Sequence, residues 1–191
     1  MGNDTDVTAN KIHKRTAELT LIGLMTAVIC VLGPFSIPIP FSPVPISLTN
    51  FAIYITVYVL GTRRGVISYL LYLLIGFVGL PVFSAFTSGP AKLLGPTGGY
   101  LIGFIFMTLI SGFFIERWQA KAVPSLIGMV LGTMICYLFG TLWLAYQAGL
   151  SFYTALCAGV LPFILGDLLK ILLSMMIGPQ LQKRLNQVGV R

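Results

Sequence analysis

From residue 16 to residue 178 the chain runs through one apolar stretch after another, and the connections between them and the two tails hold fourteen of its seventeen charged residues. A polypeptide patterned this way would leave most of those stretches facing water if it folded as a soluble protein, so its solvent is a bilayer. The stretches read as six transmembrane helices, over 16–32, 46–60, 66–80, 100–115, 124–146 and 152–178. The expected fold class is therefore an all-α integral membrane protein. A polar N-terminal tail (1–15) precedes the six-helix domain (16–178), and a basic tail (179–191) follows it. Charged residues make up only 9% of the chain, against about 25% in soluble domains. Little length remains for a separate catalytic domain.

The basic residues give the topology. Lys11, Lys14 and Arg15 precede the first span, Arg63 and Arg64 follow the second, Arg117 and Lys121 the fourth, and Lys183, Arg184 and Arg191 the sixth. With six spans all of these fall on one side, which the positive-inside rule makes cytoplasmic, together with both termini. Lys92 stands on the other side and Lys170 inside the sixth span. The net charge of +7 is thus spread over loops, and nucleic acid is excluded as a partner.

Two segments share the outer face. Residues 34–45 carry five prolines, which forbid a helix and favour extended backbone that packs on the protein. Residues 82–99, rich in Gly, Pro and Ser, read as a long loop. The first fourteen residues are polar and expected to fray. The first span lacks the small-residue cleavage site of a secretory leader. The halves show no repeat of the inverted-repeat transporter kind.

The chemistry-bearing residues are few. Cys30, Cys136 and Cys157 lie in apolar spans as small hydrophobes, and His13 is the single histidine, so neither a metal constellation nor a histidine-based triad is present. No resident cofactor is expected. Asp167 and Lys170 are three residues apart in the sixth span and share a helix face. Charges inside a membrane are costly unless they face a partner or a cavity. They are either an ion pair that stitches helices together or the polar floor of a ligand pocket, with Asp167 accepting from ligand N–H groups and Lys170 meeting a carboxylate.

In Leu94-Gly95-Pro96-Thr97-Gly98-Gly99-Tyr100 the glycine N–H groups, at a helix start, either bind an anionic or carbonyl group or form a plain turn capped by Thr97. No P-loop occurs, so the chain does not hydrolyse ATP. Phe35, Phe41, Phe83, Phe86 and Tyr100 lie near the outer face, as belt anchors or as cover for a small ring-shaped ligand; Trp118 and Trp143 share that ambiguity. Gly23 and Ala27 form a small-xxx-small pair, suited to packing in the bundle or to docking another subunit.

These residues resemble the BioY family, the biotin-specific substrate-binding components of energy-coupling factor transporters. The resemblance is carried by Pro38-Ile-Pro40, Val44-Pro45-Ile46, Leu60-Gly61 with Arg63-Arg64-Gly65, Tyr72-Leu-Leu-Ile-Gly76, Gly79-Leu-Pro-Val-Phe83, Gly95-Pro-Thr-Gly-Gly-Tyr100, and Pro162-Phe with Gly166-Asp167-Leu-Leu-Lys170. It implies a six-helix component of the cytoplasmic membrane that captures biotin from outside. Transport is then driven by a transmembrane coupling protein and two ABC ATPases, which alone use ATP. It assigns Asp167, Lys170, Thr97, Gly98, Gly99 and Tyr100 to the substrate, beside Phe83 as aromatic cover, and Gly23 and Ala27 to partner contact. Many members carry a glutamine just after Pro-Ile in span two, where this chain has Leu48-Thr49-Asn50, and Asn50 or Thr49 takes its place. The competing classes are a stand-alone carrier and a membrane-embedded enzyme. The enzyme lacks an activated nucleophile, and no line of polar residues crosses several spans as a channel needs.

Overall fold

The structure, a computed structural model, describes residues 3–40 and 42–187, and of residues 3–14 the backbone alone. Phe41 and Arg191 lie outside the described residues, as does the side chain of His13. The elements run α1 (Asn3–Leu32), β1 (Ser36–Ile39), β2 (Ser42–Ser47), α2 (Thr49–Leu60), α3 (Thr62–Val78), a 3-10 turn (Ser84–Phe86), α4 (Pro90–Leu94), α5 (Gly98–Arg117), α6 (Ala122–Ala148), α7 (Phe152–Gly159) and α8 (Ile164–Gln187). Segments of α1, α5, α6 and α8 are long and apolar enough to cross a membrane. The apolar α2 is 12 residues long, roughly 18 Å at 1.5 Å per residue, and α3 is 17 residues long.

Several boundaries differ from those expected, each for a local reason. Most of the polar tail, from Asn3 on, is continuous with the first span in α1. The second span loses its first residues to β2. The basic turn expected at 61–65 shrinks to one residue, because Gly61 at φ 80° turns the chain between α2 and α3 and leaves Arg63 and Arg64 inside α3. The sixth span breaks at 160–163, where Pro162 cannot continue a helix, leaving α7 and α8. Pro179, expected to end that span, stays inside α8, which carries much of the basic tail to Gln187. The loop at 82–99 holds a 3-10 turn and α4, and its last glycines already belong to α5.

The proline-rich segment makes the fold not purely helical. β1 and β2 form an antiparallel hairpin with Ser36 opposite Ser47, Ile37 opposite Ile46 and Ile39 opposite Ser42. Proline's fixed φ suits extended backbone, and its missing N–H leaves an edge that cannot recruit a further strand. Val44 alternates with Pro43 and Pro45 and is buried, so the hairpin lies on the bundle and does not hang free.

The bundle is built around α2 and α5. Eleven of the twelve α2 residues are buried. Over half of α5 is buried, against 17% of the apolar stretch of α1. Glycines let α5 and α6 approach closely: a Cβ at Gly103 would stand 2.9 Å from the Cα of Cys136, and one at Gly132 would stand 3.0 Å from the Met107 carbonyl. Gly178 likewise admits the Tyr58 ring of α2 against α8. In α1, Thr26 bonds Ser68 of α3 at 3.0 Å, which turns Gly23 and Ala27 outward. A Cβ on Gly23 would meet nothing within 4 Å, so the small pair does not serve packing inside this chain.

Candidate ligand-binding site

Helices that meet at α5 leave a cavity between α2, α5, α6 and α8, roofed by β2. Counted out through its mouth into the open space outside, it spans about 670 Å³. Its wall takes residues from nearly every element: Val44, Pro45 and Ser47 from β2, Thr49 and Asn50 from α2, Tyr72 from α3 and Ser84 from the 3-10 turn. Thr97, Tyr100, Leu101, Phe104 and Met107 come from the start of α5 and its cap, and Thr133, Cys136 and Tyr137 from α6. Gly159, Phe163, Asp167 and Lys170 complete it from α7, the break and α8.

Asp167 and Lys170 form the polar floor. Both are 8% exposed, and Lys170 Nζ lies 2.9 Å from Asp167 Oδ1. Neither relies on the other alone. Tyr137 donates its hydroxyl to Asp167 Oδ2 at 2.6 Å, and Lys170 also donates to the Ser47 carbonyl at 2.6 Å. An ionised carboxylate has about four acceptor sites and an ammonium three protons, so each charge keeps bonding capacity for a ligand while still paired. The pair is at once an ion pair and part of a cavity wall. Lys92 is off this wall, half-buried on α4, where burial holds its ammonium below the ordinary range.

Around the floor stand groups of mixed polarity. The Asn50 side chain is 4% exposed; its Oδ1 accepts from the Phe51 N–H at 3.1 Å, and its amide N–H groups have no partner among the described residues. Thr49 accepts from the Ser47 hydroxyl at 3.1 Å. Thr133 Oγ1 pairs with the Tyr54 hydroxyl at 2.6 Å. Tyr100 spends its hydroxyl on the Gly159 carbonyl at 2.8 Å, which leaves its ring as apolar wall beside Phe104, Phe163 and Met107.

The expected site residues divide accordingly. Asp167, Lys170, Thr97, Tyr100 and Asn50 come together on the wall, with Thr49 beside Asn50. Phe83, Gly98 and Gly99 stand behind it. Phe83 is fully buried edge-to-face on Tyr72, with ring centroids 5.5 Å apart. A Cβ on Gly98 would meet the Leu93 carbonyl at 1.8 Å, and one on Gly99 would meet Trp143 Cβ at 2.3 Å. These glycines let the start of α5 seat against α4 and α6. Phe35 and Phe86 pair with each other at the exposed rim, at 5.8 Å. Trp143 donates to the Gly95 carbonyl at 2.9 Å, and Trp118 stacks on Phe114 at 5.1 Å.

Ser47, Tyr72, Ser84, Thr133 and Tyr137 are wall residues that sequence reasoning missed. No spacing rule links Tyr137 on α6 to Asp167 on α8. Ser84 is placed by a turn whose next residues, Ala85 and Phe86, have φ of 61° and 55°, conformations no side chain there advertises. The Ala85 N–H donates to the Pro34 carbonyl at 3.0 Å and ties that turn to the foot of the hairpin.

A bundle of apolar helices with a partly open, charge-floored cavity beside a hairpin is the build of a protein that holds a small solute. The chain belongs to the BioY family, whose model matches residues 5–187. It is 38% identical over 172 residues to "Biotin transporter BioY2" of Lactococcus lactis, covering 90% of this chain and 93% of the relative. It is 37% identical over 166 residues to "Biotin transporter BioY" of Thermotoga maritima, covering 87% and 96%. Among solved structures it is similar to the S-component for biotin from an ECF-type ABC transporter, with a TM-score of 0.80, 34% identity, and 96% of this chain and 95% of that one covered.

Proposed function

We propose that this protein is the biotin-capturing S component of an ECF-type transporter, a binding and transport subunit and not an enzyme. The observation that carries the reading is the buried Asp167–Lys170 pair on the floor of a partly open cavity in a chain of this family. Biotin has a ureido ring with two N–H donors and a carbonyl, an apolar thioether ring and a carboxylate. Asp167 suits the ureido N–H groups and Lys170 suits the carboxylate or the carbonyl. Tyr100, Phe104 and Phe163 suit the apolar ring, and Asn50 and Thr97 offer further polar contacts. Phe83, Gly98 and Gly99 act from behind by holding the wall in place.

Six helices, α1, α2, α3, α5, α6 and α8, cross the cytoplasmic membrane in this reading, with both termini inside, and the β-hairpin and the 84–94 segment close the outer mouth. The short α2 crosses as an inner helix shielded by its neighbours. ATP is used only by partner subunits, a transmembrane coupling protein and two ABC ATPases. Gly23 and Ala27, on the exposed face of α1, take the coupling protein, because small residues let another helix approach closely.

The test is uptake of labelled biotin by cells that lack their own biotin transporter and express this chain with an ECF module. Uptake is expected. A Gly23→Leu/Ala27→Leu variant is expected to lose most of it while the purified variant binds biotin as tightly as before. Loss of binding together with uptake would refute the docking role. Equal uptake into vesicles that contain this chain alone would instead make it a stand-alone carrier.

A further inference from the structure

We propose that Tyr137 is a positioning residue that sets the hydrogen-bond polarity of the cavity floor, and with it the preference for a ligand bearing two N–H donors. The inference rests on the cavity being the biotin site. Tyr137 reaches across from α6 to hold Asp167 Oδ2 at 2.6 Å, while Lys170 holds Oδ1 at 2.9 Å. A carboxylate gripped at both oxygens cannot turn about its Cβ–Cγ bond without breaking one of those bonds, so its remaining lone pairs keep fixed directions. The tyrosine proton is committed to the carboxylate, so the phenol oxygen can only accept from a ligand. Asp167 and Tyr137 therefore form an acceptor-only stretch of wall. A ligand N–H satisfies it, whereas an alkylated nitrogen leaves a buried acceptor unmatched, which is where strong discrimination arises.

A purely mechanical role is the alternative, since no other side-chain hydrogen bond joins α6 to α8 among the described residues. The two roles differ in selectivity. Biotin and a biotin methylated on one ureido nitrogen are titrated into the purified full-length protein and into Tyr137→Phe, with Tyr54→Phe as control. Tyr54→Phe removes the 2.6 Å bond to Thr133 and leaves Asp167 untouched. Tyr137→Phe is expected to weaken biotin about 10-fold and to shrink the preference over the methylated analogue by a similar factor. Tyr54→Phe is expected to leave that preference unchanged.

A wild-type preference retained in Tyr137→Phe, or one lost equally in Tyr54→Phe, overturns the inference alone. Wild-type protein that binds no biotin overturns the site reading beneath it. Should Tyr137→Phe fail to fold, Asp167→Asn poses the question from the other partner. An amide has a single acceptor oxygen, so it cannot keep both the Tyr137 and the Lys170 bonds, and its NH₂ puts donors into the acceptor-only stretch; the preference is expected to collapse, and an intact preference overturns the proposal.

Discussion

Lys170→Met is expected to cost about 3 kcal/mol of stability and to weaken biotin binding by about 100-fold or more. The side chain is close in length to lysine and apolar, so packing changes little and the loss is electrostatic. Asp167 would keep the Tyr137 hydroxyl but lose its counter-ion at a site 8% exposed, and Ser47 would lose the proton its carbonyl accepts. An uncompensated buried charge is the expensive state; a pair that is absent altogether is not. The double variant Asp167→Leu/Lys170→Met is therefore expected to recover most of the stability and none of the binding. Thermal unfolding and calorimetry on the same samples separate the two quantities. Recovered binding in the double variant would show that the pair is structural cement and that the ligand is held elsewhere.

Gly99→Ala is expected to lower stability by about 2–3 kcal/mol and to weaken biotin about 10-fold. An alanine keeps the N–H, so a glycine that served the ligand only through its backbone would tolerate the change. Here the new Cβ would stand 2.3 Å from Trp143 Cβ and 2.6 Å from the Phe139 carbonyl, neither of which is the free end of a flexible chain. The start of α5 must move off α6, and Thr97 and Tyr100 on the cavity wall move with it. Gly166→Ala is the matched control. It lies one residue from Asp167 in α8 with nothing within 4 Å of a built Cβ, and it is expected to be neutral or slightly stabilising. Unfolding midpoints of the two variants in detergent decide the matter, and equal midpoints would contradict the packing role.

Local rules carried the sequence reading a long way and then stopped at tertiary contact. The apolar stretches became the long helices, and the i, i+3 spacing of Asp167 and Lys170 placed them on one face, because both are properties of a single segment. Five prolines ruled out helix at 34–45, but hairpin register depends on pairing between strands, which a run of prolines does not announce. Span six reads as continuous because residues 160–163 are as apolar as their flanks, although Pro162 marks the break and Pro179 marks none. Tyr137 and Ser47 were out of reach for a plainer reason. They are 30 and 123 residues from their partners, and only the packing of α6 and β2 on α8 brings them in. At Gly98 and Gly99 the sequence points to the N–H groups, whereas the close approach of Leu93 and Trp143 that the missing Cβ atoms allow is visible only in the packing.

We propose that this cavity takes biotin with Asp167 and Lys170 at its floor. Titration of biotin into the detergent-purified protein tests it most directly, with thiamine and riboflavin as controls and Lys170→Met in parallel. Tight one-to-one binding of biotin alone is expected, lost in the variant. No binding by well-folded wild-type protein, or undiminished binding by folded Lys170→Met, would contradict it.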